Sequence, residues 1–287
     1  MEIRKVGVVG FGTMGQGIAQ VCAQAGYQVV ALEANECALE QGMAKIDAFM
    51  SKGIIKNKVT PEEKEATLSR IKGTTTNKDL LCCQLIIEAV PEKLSLKKEI
   101  FKQLDELCLQ HTVIATNTSS LSVTELAAVT KRPEQVLGIH FFNPVPLMKL
   151  VEIVVPITTA KKTVDIAKKF INSLGKVTII AKDTPGFIVN YLQYPFRLNA
   201  IRMLESGIAT KEDIDTAAKL ALGHPLGPLE LQDYVGLDVT YEAVSSIHEE
   251  TKDPLFAPPV LLKRMVAAGY LGRKTGKGFY DYTNKET

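Results

Sequence analysis

The sequence contains four histidines, and each is a candidate for moving a proton near neutral pH, because an unperturbed imidazole titrates at about 6.5. His111 precedes the run TVIAT, His224 lies in a Gly/Pro loop, and His248 ends a polar helical stretch. These are ordinary positions for turn or surface histidines. His140 differs, standing at the carboxyl end of the run VLGIHFFNP, and ligands of open α/β sheets gather beyond the carboxyl ends of the strands. Glu152, in the following run KLVEIVV, puts a carboxylate where a strand would otherwise hold an apolar residue, and buried carboxylates have partners. A hydrogen bond between the two would fix the imidazole tautomer and stabilise the imidazolium formed as a hydroxyl proton arrives. The competing reading of Glu152 is a solvent-facing position on an edge strand.

A second chemistry is written in residues 6–17, VGVVGFGTMGQG. Gly10, Gly12 and Gly15 form a GxGxxG that leaves a strand and opens a helix, the arrangement of a dinucleotide-binding turn. Gly10 permits the tight turn, Gly12 lets a pyrophosphate approach the backbone, and Gly15 lets helix and strand pack closely. With Phe11, Thr13 and Met14 between them, these residues make the candidate cofactor loop. Met14, Ile18, Val21, Cys22 and Ala25 then share one helical face, so the helix amino terminus is aimed at the phosphates. Glu33 ends the next strand, YQVVALE. It can accept hydrogen bonds from the adenosine ribose hydroxyls and repels a 2′-phosphate, and no Arg or Lys follows in Ala34, Asn35 or Glu36, which favours NAD over NADP.

Such side chains need a parallel sheet to carry them. Val/Ile-rich runs at residues 3–9, 27–33, 84–89, 112–116, 136–142, 150–155 and 176–181 alternate with helical patterns, which reads as a Rossmann-type α/β domain. The last runs follow each other with little helix between them, so an antiparallel or mixed edge is expected. After Asp183, Thr184, Pro185 and Gly186 the pattern becomes helical throughout, with helices expected at 187–206, 211–221, 228–249 and 258–268. The expected division is therefore residues 1–183 for an NAD-binding domain and 184–287 for an all-α domain.

Composition excludes several classes. At 287 residues with 46% hydrophobic and 23% charged residues, the chain has an ordinary globular composition. The net charge of +2 is dispersed, which argues against a nucleic-acid partner. No apolar run approaches the roughly 20 residues of a membrane helix, and the strand-like IRKVGVVG follows Met1 too closely for a cleavable leader, so a cytoplasmic protein is expected. Cys22, Cys37, Cys82, Cys83 and Cys108 lack CxxC spacing. They read as reduced core residues, and no metal site is expected.

Taken together, GFGTMGQGIAQ, IIEAVPE, ATNTSSLSVTEL, GIHFFNPVPLMKLVEIV, KDTPGFIVN, GHPLGPLELQDYVGLD and GRKTGKGFYDY give a chain that resembles the L-3-hydroxyacyl-CoA dehydrogenases, most nearly the bacterial 3-hydroxybutyryl-CoA dehydrogenases, over almost its whole length. The resemblance implies an NAD-dependent oxidoreductase of fatty-acid or butyrate metabolism that interconverts (S)-3-hydroxybutyryl-CoA and acetoacetyl-CoA. It makes His140 the general acid/base and Glu152 its orienting partner. It brings in Ser119 and, from the second domain, Asn190 as polar groups at the reacting substrate oxygen, which the residues alone read as a turn serine and an early-helix polar residue. It also implies that Glu92, Lys97, Asn143 and Lys274 lie near the nicotinamide half of the cofactor, that Lys52 and Lys56 meet the CoA phosphates from one helical face, and that the second domain forms a homodimer. Lys52 stays open between that role and a solvated helix face. Glu33 stands where many relatives carry Asp, and Leu226 and Leu229 replace the more frequent Met and Phe. Two other readings remain: a dehydrogenase of a free 3-hydroxy acid, as in crystallin-like relatives, and an inactive dinucleotide-binding protein.

Overall fold

A computed structural model of the chain describes residues 2–283. It divides into two compact units, Met1–Phe187 and Ile188–Thr287.

The first unit runs β1 (Lys5–Val9), α1 (Thr13–Gln24), β2 (Gln28–Leu32), α2 (Glu36–Ile55), α3 (Pro61–Ser69), β3 (Ile71–Thr74), β4 (Leu85–Glu88), α4 (Leu94–Leu107), β5 (Val113–Thr116), α5 (Val123–Ala127), β6 (Val136–Phe141), β7 (Leu150–Val155), α6 (Lys161–Ser173) and β8 (Val177–Lys182). All residues of β4, β5 and β6 are buried, as expected of strands covered on both faces. Helix starts follow local signals. Asn35 caps α2 by accepting from the Ala38 amide, and Thr60 with Glu63 makes a reciprocal capping box ahead of α3, which has Pro61 in its first turn.

The strand order is β3-β2-β1-β4-β5-β6-β7-β8, with parallel pairing from β3 through to β6. The chain winds outward from β1 to β3 and then restarts at β4 on the other side. This reversal opens a crevice at the carboxyl ends of β1 and β4. β7 then pairs antiparallel with β6, and β8 parallel with β7, giving the mixed sheet expected. The turn-back has a simple cause: the segment from Phe142 to Lys149 is too short for the crossover helix that a parallel neighbour requires.

β3 has no counterpart among the expected strands. Its four residues, IKGT, bury only Ile71 and Thr74, so neither alternation nor an apolar run marks it, and it exists through pairing with β2 at the sheet edge. In α1 the apolar face is carried by Ile18, Val21, Cys22 and Ala23. Ala25, assigned to that face by periodicity, lies past the last helical turn as an exposed cap.

The second unit contains α7 (Val189–Glu205), α8 (Lys211–Leu220), α9 (Pro228–Val235), α10 (Leu237–Thr251) and α11 (Val260–Ala267) around a core that includes Leu198, Ile201, Leu229, Leu237, Val244, Phe256 and Leu262. The single helix expected over 228–249 is two helices. Gly236, at φ 107° and ψ 127°, leaves helical space and redirects the chain, a conformation glycine tolerates at little cost. The buried Asp233 explains the GKGFYDY ending: its carboxylate accepts from the Phe279 and Tyr280 amides and the Tyr282 hydroxyl. A side chain at Gly278 would collide with that carboxylate, its Cβ standing 2.0 Å from Asp233 Oδ1. Burial nonetheless pushes the Asp233 carboxyl upward.

Among the described residues no helix is long and apolar enough to cross a membrane. The cysteines do not all belong to the core, because Cys37 and Cys82 are exposed. Cys37 lies in the first turn of α2 and Cys82 ends a short 3-10 turn, where apolar sequence neighbours do not ensure burial. Burial pushes the Cys83 thiol up to about 12 and the Cys108 thiol up to about 11, and raises Cys22 further. Only thiolates react readily. A thiol-reactive chromophore at pH 8 should therefore modify two of the five cysteines quickly and the other three only on unfolding, and five fast equivalents would contradict this burial pattern.

Candidate active site

Around the glycine turn, conformation and contact account for Gly10 and Gly15. Gly10 has φ 88°, and a Cβ there would lie 2.9 Å from the Ala89 carbonyl. A Cβ on Gly15 would meet the Gly10 carbonyl oxygen at 1.8 Å, whereas one on Gly12 would meet nothing within 4 Å. Gly12 caps α1 without a side-chain hydrogen bond, and no acid lies in the first turn, so the positive helix end is left to an anion. Thr13 and Met14 follow in that first turn. The Phe11 ring is buried, packed over Gly42, which leaves only its backbone for the loop.

Glu33 lies just beyond β2. Its carboxylate accepts from the Phe11 amide at 2.7 Å and the Ala34 amide at 2.7 Å, so the acid fixes the loop as well as standing at the crevice. A cleft of about 410 Å³ opens here, lined by Gly10, Glu33, Ala34, Val90, Pro91 and Leu96 among others. Apolar walls with one acid at the rim suit an adenosine, and the uncapped helix beside them suits a pyrophosphate. The residues present fit NAD.

On the other side of the loop, a hollow of about 390 Å³ brings together Thr13, Gln16, Lys52 and Asn143. Asn143 is exposed and precedes Pro144 through a cis peptide. Lys56 is not among the residues lining this hollow. α2 ends at Ile55 with Lys56 as its cap, so the pair expected on one helical face is one lysine in the last turn and one just past it.

At the end of β4, Lys97 is 1% exposed and donates to Glu88 Oε1 at 2.7 Å and the Val90 carbonyl at 3.3 Å, with Glu92 Oε2 at 3.2 Å. Thr116 donates to the second oxygen of Glu88 at 2.7 Å. The other Glu92 oxygen accepts from the Thr118 hydroxyl, the Ser119 amide at 3.0 Å and the Ser120 hydroxyl at 3.3 Å. Glu92 therefore holds the loop bearing Ser119, and Lys97 holds Glu92. Sequence reasoning missed Glu88, Thr116, Thr118 and Asn117, whose Oδ1 accepts from the Phe141 amide at 2.9 Å. The available signal was an acid ending the apolar run LIIE.

His140 and Glu152 are direct register partners across β6 and β7, and Nδ1 lies 2.7 Å from Glu152 Oε2. Glu152 is 0% exposed, so the edge-strand reading is wrong, because β8 covers β7 on its outer side. A carboxylate can only accept, which puts the proton on Nδ1 and leaves Nε2 with a lone pair. The rings of Phe142 and Phe187 lie against the imidazole, with centroids at 4.5 and 5.7 Å.

Asn190 and Lys274 belong to the helical unit. Asn190, buried in the first turn of α7, accepts from Gln193 Nε2 at 2.7 Å. Lys274 pairs with Asp238 at 2.6 Å.

The Lys97 cluster makes a stability prediction. Lys97→Met should cost about 3–5 kcal/mol, because it strands the buried Glu88 charge, and adding Glu88→Gln should recover much of that loss. Urea denaturation of the two single variants and the double variant measures this, and strictly additive losses would show that the charges are not coupled.

Residues 5–184 match the model of the 3-hydroxyacyl-CoA dehydrogenase NAD-binding domain, and residues 186–282 match that of the same enzymes' C-terminal domain. The chain is 44% identical over 278 residues to a 3-hydroxybutyryl-CoA dehydrogenase of Clostridioides difficile, covering 97% of this chain and 99% of that one. It is 44% identical over 288 residues to the mitochondrial hydroxyacyl-coenzyme A dehydrogenase of Sus scrofa, covering 98% and 91%. A crystal structure of (S)-3-hydroxybutyryl-CoA dehydrogenase PaaH1 from Ralstonia eutropha superposes with a TM-score of 0.96 at 43% identity, over 99% of this chain and 100% of that one. The glycine turn, the acid after β2 and the mixed sheet thus lie in a chain whose two halves both match one dehydrogenase family, with NAD as its cofactor: the protein belongs to the 3-hydroxyacyl-CoA dehydrogenases.

Proposed function

We propose that the protein interconverts (S)-3-hydroxybutyryl-CoA and acetoacetyl-CoA, with His140 and Glu152 as its acid/base pair. The 2.7 Å contact between His140 Nδ1 and the buried Glu152 carboxylate carries this reading. NAD, when held by the glycine turn and Glu33, would supply the hydride acceptor, and NADH the donor, for C3 of the acyl chain. His140 Nε2 takes the hydroxyl proton in oxidation and returns it in reduction. Glu152 holds the tautomer that leaves Nε2 basic and offsets the imidazolium charge. The Ser119 hydroxyl and the Asn190 amide are assigned to the substrate oxygen, where donors matter most as charge develops.

The uncapped α1 terminus, with Gly10, Gly12 and Gly15 around it, is assigned to the pyrophosphate and Glu33 to the ribose. Glu92, Lys97, Asn143 and Lys274 are assigned to the nicotinamide end. For Lys97 the means is indirect, since its ammonium is taken up by Glu88 and Glu92. Lys52, beside the hollow containing Asn143, favours a CoA thioester over a free acid, and Lys56 is assigned to the same phosphates. The first unit serves as the cofactor domain and the helical unit as the substrate and dimerisation domain. Exposed Leu192, Ile208, Leu220 and Leu222 support a homodimer through the helical unit, which sedimentation at micromolar concentration would reveal as a species of twice the chain mass. A chain whose cysteines are all unpaired also suits the cytoplasm.

Acetoacetyl-CoA and free acetoacetate, each assayed with NADH and with NADPH, test the substrate and cofactor together: turnover should require the thioester and NADH. His140→Asn should lower kcat by about 10²- to 10⁴-fold with NADH affinity unchanged. Glu152→Gln should lower it by about 10⁴-fold, since the amide can donate to Nδ1 and hold the imidazole in the tautomer whose Nε2 carries the proton. Near-full activity in His140→Asn would remove His140 from the mechanism.

A further inference from the structure

α7 carries a buried cation that the proposed chemistry does not use. Arg197 is 3% exposed, and burial lowers its pKa to about 10, which leaves it charged at neutral pH. Among the described residues no carboxylate pairs with it, and its Nε lacks a partner. Its guanidinium instead donates to neutral acceptors: Gln232 Oε1, Thr240 Oγ1 at 3.0 Å and, one turn back along α7, Gln193 Oε1 at 3.4 Å. Gln193 in turn donates through Nε2 to Asn190 Oδ1 at 2.7 Å.

The polarity of this chain is set from one end. Arginine has five donors and no acceptor, so the amide beside it is held with its oxygen toward the charge. A flipped Gln193 would turn its NH2 group onto a buried cation. With Oε1 turned toward Arg197, Gln193 offers Asn190 a donor, which Asn190 can meet only with its own oxygen. The Asn190 NH2 group then faces the other way. The spacing is helical throughout: residues 190, 193 and 197 are separated by three and four positions and share one face.

We infer that Arg197 and Gln193 form a positioning relay that fixes the Asn190 side chain as a hydrogen-bond donor toward the substrate oxygen. The inference rests on the assignment of Asn190 to that oxygen. Neither relay residue touches the substrate. A donor held in advance needs no reorganisation when charge develops, and that is its catalytic value.

Two variants separate a relay from a structural role. Gln193→Glu keeps an acceptor for Arg197 but presents Asn190 with an acceptor too, so the Asn190 amide reverses and offers its oxygen to the substrate. Its kcat for acetoacetyl-CoA should fall about tenfold, with NADH affinity and thermal midpoint held. Arg197→Met removes the directing charge and leaves Gln193 two orientations. It should lower kcat about threefold while the thermal midpoint stays level or rises, because a buried charge without a carboxylate partner costs stability. Asn190→Ala should lower kcat by itself, and adding Gln193→Glu to it should change kcat by less than about twofold, because the relay then has nothing to orient. If Gln193→Glu keeps wild-type kcat, or lowers it equally with and without Asn190, the relay is overturned while Asn190 keeps its assignment. The relay is also overturned if Arg197→Met loses activity only in step with stability. Full activity in Asn190→Ala would overturn the assignment, and the relay with it.

Discussion

The antiparallel pairing of β7 with β6 is the constraint on which the site depends. A parallel sheet delivers only strand ends to its crevice, and at the end of β6 it delivers His140 alone. When the chain turns back after a short loop, a residue from the middle of β7 comes opposite the last residues of β6, and that residue is Glu152. Side chains directly opposite on one face are in contact. A carboxylate with no exposed surface needs such a partner, and an imidazole needs something to select its tautomer. One register satisfies both. A slip of one residue would turn Glu152 to the other face of the sheet, leaving a buried charge on one side and an unoriented histidine on the other. β8 completes the arrangement by lying outside β7, which converts an edge position into an interior one.

The remaining acids of the crevice act as backbone clamps. Glu33 commits its two oxygens to the Phe11 and Ala34 amides, tying the glycine turn to the end of β2. Glu88 accepts from the Val90 amide as well as from Lys97 and Thr116, tying the ends of β4 and β5 to α4. Glu92 extends the same network to the Ser119 loop. Glu33 is thus part of what shapes the glycine turn, so changing it would alter loop geometry together with charge.

How much of this was legible in the sequence follows from the range of the interactions. The glycine turn, Glu33, His140 and Glu152 declare themselves because each is a residue type out of place in its own local pattern: glycines at a strand end, acids in apolar runs, a histidine at the crevice. The mixed edge was readable from the short spacing between 136–142 and 150–155. β3 was not, since a four-residue strand with two polar central residues carries no periodicity and is held by its neighbour. The break at Gly236 was hidden because a glycine inside a helical pattern can be tolerated or can end the helix, and only its φ distinguishes the two. The burial of Lys97 was likewise invisible. Its position in α4 looks like any other in a lysine-rich helix, and only the fold brings Glu88 and Glu92 against it.

The two units solve the problem of a buried cation in different ways, and the difference has chemical consequences. Lys97 is fully countered by two carboxylates, so no positive field extends beyond them and its effect is mechanical: it locks Glu92, and through Glu92 a loop. Arg197 is surrounded by amide and hydroxyl oxygens, which solvate a charge without cancelling it. In a low-dielectric interior that charge orients dipoles along its line. Gln193 and Asn190 lie on that line at helical spacing, where a rigid backbone keeps their order fixed. A paired charge therefore suits a site that needs a scaffold held in place, and an unpaired one suits a site where a flippable amide must present the same face on every turnover.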